Sequence, residues 1–147
     1  HEMIVSHGAI PAPLNYKGFP KSICTSINHV VCHGIPDDRP LKDGDIVNVD
    51  VTVILDGWYG DTSRMYWAGE PSIKAKRLTE ITYLAMMEGI KKIKPGATTG
   101  DIGAAIQQFA EPHGFSIVKD YCGHGIGRIF HGAPNILHYG KPGSGVT

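Results

Sequence analysis

Apolar and polar positions alternate most clearly over residues 47–55, where Val47, Val49, Val51, Val53 and Leu55 form one side and Asn48, Asp50 and Thr52 the other. A period of two predicts a strand with one face turned inward. Asp56-Gly57 follows, and after it a second β-rich run, WYGDTSRMY, which together read as a hairpin. Further on the period changes. Over residues 71–94 the positions Ile73, Leu78, Ile81, Ala85, Ile90 and Ile93 recur near helical spacing, and Pro95-Gly96 supplies a stop. A second helix is expected from Thr98, where Thr98 and Asp101 form a capping-box pattern, with Ile102, Ile106 and Phe109 on one face until Pro112 to Gly114. Residues 115–121, FSIVKDY, read as another strand, and within the Pro-, Gly- and Asn-rich first 45 residues, 21–27 and 29–32 read as short strands between turns. No internal repeat, low-complexity run or linker interrupts this order. Strands, hairpin, two helices and strands predict an α+β fold, one sheet backed by helices.

The hairpin carries two acids in a run that otherwise reads like a buried sheet. A loop of two or four residues centred on Asp56-Gly57 opposes Asp50 to Ser63 and Thr52 to Asp61, which puts both aspartates on one face as diagonal neighbours, about 7 to 8 Å apart along the backbone. A three-residue loop would put them on opposite faces. The alternation favours the first register, with the valine side packed on helices and the aspartates lining a cavity. An ordinary half-exposed hairpin with a wetted polar face fits the same pattern. Against it, this face holds no Lys or Glu and sets Tyr59 and Trp67 beside the second acid. Two carboxylates held close in a partly apolar site repel unless a proton or a metal ion intervenes.

Composition narrows the classes. With 147 residues, 41% apolar and 19% charged, the chain fits one globular domain. Lys plus Arg equals Asp plus Glu at 14 each, so no net field draws it to nucleic acid or to an anionic membrane. Three cysteines, Cys24, Cys32 and Cys122, form no CxxC pair, which argues against a disulfide framework or a zinc ribbon and for a reducing, cytoplasmic setting. No apolar run reaches the roughly 18 residues of a membrane span, and HEMIVSHGAIPAP lacks the core of a signal peptide. A start at His1 and a turn-rich end, GKPGSGVT, read as a fragment of a longer protein.

Histidine adds candidate ligands. His124 sits between glycines in GHGIG, His131 follows in FHGAP, and His33 lies in CHGIP at a turn after an apolar segment. His1, His7, His29, His113 and His138 read as structural. Asp50, Asp61 and His124 together offer mixed oxygen and nitrogen ligands, which suit Mn, Fe(II), Co or Zn better than Mg or Ca.

Several motifs in order, SINHVVCHGIP (26–36), LKDGDIVNVDVTV (41–53), GDTSRM (60–65), IGAAIQ (102–107) and YCGHGIGRIFH (121–131), make the chain closely resemble the type I (bacterial-type) methionine aminopeptidases over nearly its whole length. The resemblance implies the pita-bread fold, two pseudo-symmetric halves forming a curved antiparallel sheet backed by helices, here as one catalytic domain over 1–147 with its second half incomplete. It implies a metalloexopeptidase that removes the initiator methionine from nascent chains. Asp50 then matches a carboxylate ligand of one ion, Asp61 the carboxylate bridging two divalent ions, and His124 the imidazole ligand of the second. In such two-metal hydrolases the ions lie about 3.5 to 4 Å apart and share the water that attacks the first peptide carbonyl. His131 matches the group that stabilises the tetrahedral intermediate, and His33 the one that contacts the scissile amide and assists its departure. Tyr16, Phe19, Cys24 and Phe130 match the lining of the methionine pocket, positions that serve equally well as core.

The family also uses two glutamates that would lie beyond position 147. The expectation is therefore weak or single-ion binding, little turnover by this chain alone, and poor solubility from exposed strand edges. The implied partners are nascent N-termini that begin with Met and a small second residue, at the ribosome, acted on by a monomer. Two alternatives stand beside this reading: a pita-bread module without peptidase activity that binds a partner such as the ribosome, and another pita-bread peptidase such as a proline-specific one.

Overall fold

Strands β3 (Ile46–Leu55) and β4 (Trp58–Trp67) pair antiparallel along their full length around the two-residue turn Asp56-Gly57. Both turn residues take positive φ, 51° at Asp56 and 77° at Gly57, the type I′ geometry whose twist matches the strands it joins. The register is the expected one, with Asp50 opposite Ser63 and Thr52 opposite Asp61.

The computed structural model describes residues 1–147 and divides into two compact units, His1–Ala75 with Ile126–Phe130, and Lys76–Gly125 with His131–Thr147. In the first unit β4 takes one edge of β3. Strands β1 (Ile10–Pro11) and β2 (Cys24–Ile27) share the other, β1 against Val53 and Ile54, and β2 against residues 47–50. A short helix, α1 (Glu2–Ser6), precedes β1; its EMIVS sequence carries no apolar period long enough to announce it. Ala12, Cys24, Ile46 and Val47 are the buried apolar residues of this unit.

In the second unit α2 (Ile73–Ile90), whose first turn belongs to the first unit, is followed by α3 (Thr99–Ala110) and by a hairpin of β5 (Gly123–Gly125) and β6 (Gly132–Ile136). The two helices were expected, but their buried faces are made of small residues. Gly89 on α2 meets Ile102 and Ile106 of α3 so closely that a Cβ there would lie 2.8 Å from Ile106 Cγ1. On α3 the buried residues are Gly100, Gly103, Ala104, Ala105 and Ala110, while Ile73, Leu78 and Ile90 of α2 are exposed. The turn-rich tail caps α3, for the Ser144 and Val146 carbonyls accept its first N–H groups, those of Gly100 and Thr99, each at 2.8 Å.

Two expected strands are absent. Residues 29–32 form a turn and irregular chain, because Asn28 enters the left-handed region at φ 53° and spends its side chain on Asp45 and Ile46, which swings the chain off the edge of β3. Residues 115–121 join no β ladder. Alternation reports that a segment can extend, whereas a strand also needs a partner for its amides. Of 21–27, the last four residues form the ladder.

The capping box of α3 is present, with Thr98 Oγ1 accepting from Asp101 N–H at 3.3 Å and Asp101 Oδ2 accepting from Thr98 N–H at 2.8 Å. Asp101 Oδ1 also takes Gly143 N–H at 2.8 Å. These bonds, that from the Thr98 backbone foremost, hold the Asp101 carboxyl below the ordinary carboxylate range. Thr98→Ala is expected to lower the unfolding free energy by about 1 kcal/mol, read as a shift of the urea midpoint. The Asp101 contribution has the sign of a depressed acid, complete above the ordinary value of about 3.9 and lost as pH falls through the lower folded value. The midpoint gap between wild type and Asp101→Asn should therefore be full at neutral pH and close in strong acid; a gap independent of pH would show that the carboxylate charge is not what stabilises.

Candidate metal centre

On the polar face of the first unit, Cys24 lies directly opposite Asp50 across the β2–β3 ladder, and Asp61 sits diagonally on the other side of Asp50. The register that makes Val47 and Ile46 core also fixes these three on one surface. Asp50 is half-buried, with its Oδ1 atom shut away from solvent, while Asp61 is exposed. A carboxylate oxygen withdrawn from water is costly unless positive charge or donors compensate it. Burial first, then the charges of Asp50, Cys32 and Asp61, push the Cys24 thiol from the ordinary 9.0 up to about 11. Burial opposes charge of either sign at this thiol, and the neighbouring acids add to its resistance to ionisation.

His33 is exposed in the left-handed region at φ 56°, on the loop that follows β2. The next residue must be glycine, since a Cβ at Gly34 would collide with the Thr25 carbonyl oxygen. Of the expected pocket residues, Tyr16 and Phe130 come together with ring centroids 5.0 Å apart, Cys24 is buried, and Phe19 is half-buried just after the turn that carries Tyr16. Tyr59 joins them, 5.2 Å from Phe130. Its place in this aromatic cluster was missed, although Tyr59 shares the face of Asp61 two residues away, which is the signal that could have found it.

Residues 126–130 are held over the hairpin turn. Gly127 carbonyl accepts Tyr59 N–H at 2.8 Å, Arg128 Nη1 donates to the Asp56 carbonyl at 3.3 Å, and the Arg128 guanidinium lies 4.4 Å from the centre of the Trp58 ring. Neither Arg128 nor Trp58 is marked by any spacing in the sequence.

In the second unit His124 stands on β5 and His131 just before β6, with ring centroids 4.5 Å apart. A bulge at His124 and Gly125 bends the strand, and Gly125 has no room for a Cβ against the Ala133 carbonyl. His124 Nδ1 bonds the Gly125 carbonyl at 3.0 Å. A carbonyl only accepts, so Nδ1 carries the proton and Nε2 keeps its lone pair for a ligand. His138, read as structural, is half-buried, and that burial holds its imidazole below the ordinary value. All three cysteines are free thiols, and no helix is long and apolar enough to cross a membrane.

No three His, Cys, Asp or Glu side chains form a group able to hold a metal ion. The expected ligands are presented instead as a carboxylate pair in one unit and an imidazole pair in the other. Each pair offers donors of a kind that divalent Mn, Fe(II), Co or Zn accept, oxygen from Asp50 and Asp61 and nitrogen from His124.

Residues 1–146 match metallopeptidase family M24. The methionine aminopeptidase of Rickettsia prowazekii (strain Madrid E) is 71% identical over 147 residues, 100% of this chain and 57% of the relative. The crystal structure of methionine aminopeptidase from Rickettsia prowazekii aligns with a TM-score of 0.97 at 70% identity, covering 99% of this chain and 59% of that one. That of methionine aminopeptidase from Thermotoga maritima aligns with a TM-score of 0.95 at 40% identity, with the same coverage, 99% and 59%. The chain thus spans somewhat over half the length of these relatives. The resemblance carried by the motifs is borne out, and the fold is the expected pita-bread fold.

The raised thiol yields a test of the shared face. With Cys32 and Cys122 replaced by serine, thiolate absorbance should show Cys24 still protonated at pH 9, near which an ordinary thiol is half ionised. Asp50→Asn should bring the titration down. A thiol that titrates near 9 in both proteins would place Cys24 away from the carboxylates.

Proposed function

We propose, for a chain that belongs to metallopeptidase family M24, that it is the metal-binding part of a methionyl aminopeptidase, which hydrolyses the first peptide bond of chains beginning with Met and a small second residue. The observation that carries this reading is the pair of carboxylates set as diagonal neighbours on one sheet face, Asp50 on β3 and Asp61 on β4. A pita-bread module that only binds a partner has no chemical need for that pair together with His33, His124 and His131. The relatives with 71% and 70% identity are named as methionine aminopeptidases, which favours that specificity over a proline-directed one.

In this reading residues 1–147 belong to one catalytic domain, in which Asp50, Asp61 and His124, completed by the family's two further glutamates, would hold two divalent cations drawn from Co, Mn, Fe(II) and Zn, while the 147-residue chain alone binds them weakly or as a single ion. When bound, such cations supply Lewis acidity and a nucleophile near neutral pH. The protein's own groups do the rest. His124 is oriented for ligation by its Nδ1–H bond to Gly125. His131 donates to the oxygen on which charge develops in the tetrahedral state, where a preorganised donor is most effective. His33 holds the scissile amide and assists its departure. Tyr16, Phe19, Cys24 and Phe130 receive the methionine side chain, and the tilted rings of Tyr16, Phe130 and Tyr59 suit a thioether, which packs favourably against aromatic edges. The setting is cytoplasmic, at the ribosome where nascent N-termini emerge, and the working form is a monomer.

Methionine release from a Met-Gly peptide, followed by chromatography, is the direct test in a protein that carries these residues together with the two further glutamates the family uses; the 147-residue chain alone is expected to release little. Release should exceed that from a Met-Leu peptide, stop on addition of a chelator and return with Mn, Fe(II), Co or Zn. Asp61→Asn should lower it by more than about a hundredfold, beyond the usual cost of disturbing a residue that merely supports a ligand. Release that survives chelation, or that Asp61→Asn leaves intact, would overturn the reading. Association with ribosomes without metal-dependent release would favour the binding module.

A further inference from the structure

The segment that carries His33 is not held by apolar burial. From residue 28 to residue 43 no side chain is buried, and Val31 and Ile35 are exposed. Polar contacts fix its shape, and those at its two feet converge on one carboxylate. Asp45, just ahead of β3 and only 8% exposed, receives Asn28 Nδ2 on Oδ1 at 2.7 Å. Its Oδ2 receives the Arg39 guanidinium at 2.7 Å and Lys42 N–H at 3.0 Å. Asn28 is tied a second and a third time, its Oδ1 accepting Ile46 N–H at 3.1 Å and its own N–H donating to Ile46 carbonyl at 2.9 Å. The middle of the segment has a separate anchor beside His33: Gly34 N–H donates to the buried Ser26 Oγ at 3.1 Å, and Thr25 N–H donates to the Gly34 carbonyl at 2.9 Å.

We propose that Asp45 is a positioning residue for His33: by joining Asn28 at one foot to Arg39 and Lys42 at the other, it fixes the span between them and so the left-handed backbone from which His33 projects. Charge-assisted bonds to a buried carboxylate are the strong kind, and they are directional where apolar packing is not. The backbone bond from Lys42, then the Asn28 side chain, holds the Asp45 carboxyl below its ordinary range, in keeping with an ion that its donors stabilise. With the feet released, the span between Ser26 and β3 becomes a loop secured at one point, and a non-glycine residue at positive φ persists only where its surroundings impose it. The chemistry of His33 rests on the function proposed above; the clamp itself does not.

Two measurements test it and separate its failure from that of the function. Hydrogen–deuterium exchange on the 147-residue chain compares wild type with Arg39→Ala, which trims a part-exposed side chain, and with Asp45→Asn. The hydrogen-bonded amides of the segment, those of Val30 and Gly34, should exchange faster by about tenfold, the scale of one lost charge-assisted bond, while β3 and β4 keep their protection. No change in the loop, or an equal rise through the sheet, overturns the proposal whatever the chain catalyses. In a protein that carries these residues and releases methionine, Arg39→Ala should lower kcat/KM several-fold in the wild-type background and leave it unchanged in a His33→Ala background. Equal losses in both backgrounds would mean that the clamp does not act through His33. Absence of methionine release from the wild type counts against the proposed function alone, and the exchange result still decides the clamp.

Discussion

The pairing register of β3 and β4 is the constraint on which the first unit depends. Side chains alternate with a period of two, so a hairpin one residue longer at its turn would send Asp50 and Asp61 to opposite faces and part Asp61 from the side of β3 that buries Ile46 and Thr52. The two-residue turn enforces the register through backbone conformation. Two successive positive φ values suit Asp-Gly and few other pairs, and the twist they impose continues into ten-residue strands on either side. Once β3 is placed, its second edge orders β1 and β2, which brings Cys24 opposite Asp50. Two glycines of the sequence thus do unlike work: Gly57 sets the register, and Gly34 lets the chain after β2 lie against Thr25.

That same register gathers charge where the sheet is partly dry. Asp50 hides an oxygen and Cys24 is nearly inaccessible, yet Asp61 two rows away remains in water. An acid pair with one wet and one half-dry member repels less than two buried acids, since solvent screens the exposed partner. Burial first, and then the field of these acids, keeps the neighbouring Cys24 thiol from ionising. A thiol kept neutral behaves as a small hydrophobe. Such a thiol can lie beside Asp50 on the sheet face without competing with it for a cation, as the proposed function requires.

Much of this was legible in the sequence because it is local. Asp-Gly between alternating runs announces its own turn, and Thr98 with Asp101 announces its own cap, each within four residues. The expected strands at 29–32 and 115–121 failed for the opposite reason: extension can be read from a segment, but the partner that makes it a strand lies elsewhere. The helical faces were legible only in part. On α2 the expected Ala85 is buried, but Ile73, Leu78 and Ile90 are exposed while Thr79 and Gly89 are buried, and it is Gly89 that Ile102 and Ile106 of α3 meet. Of the candidate site, residue types and motifs gave Asp50, Asp61, His124, His131 and His33, whereas the groups that hold them in place were invisible. Arg128 bonds a carbonyl 72 positions earlier, and Asp45 collects donors from 17, 6 and 3 positions before it.

Residues 126–130 show how such distant contacts bear on chemistry. They count with the first unit, while His124 and His131, which flank them in the chain, count with the second. The segment therefore links β5 to β6 by a path whose middle is fixed on the hairpin through Gly127, Arg128 and Phe130. A free loop of that length would leave the two histidines to sample many arrangements, since joining two strands through a slack connection restricts their ends only weakly. Pinning the middle divides one slack loop into two shorter spans, and the freedom left to each histidine falls accordingly. In the proposed function, where His124 would ligate and His131 donate at a set point, this leaves less ordering to be done on binding. Arg128 suits this role because its planar head stacks on Trp58 while one N–H reaches the Asp56 carbonyl, two directional contacts that a lysine could not make together. The turn that sets the register of the acids is thus the same turn that restrains the segment between the histidines.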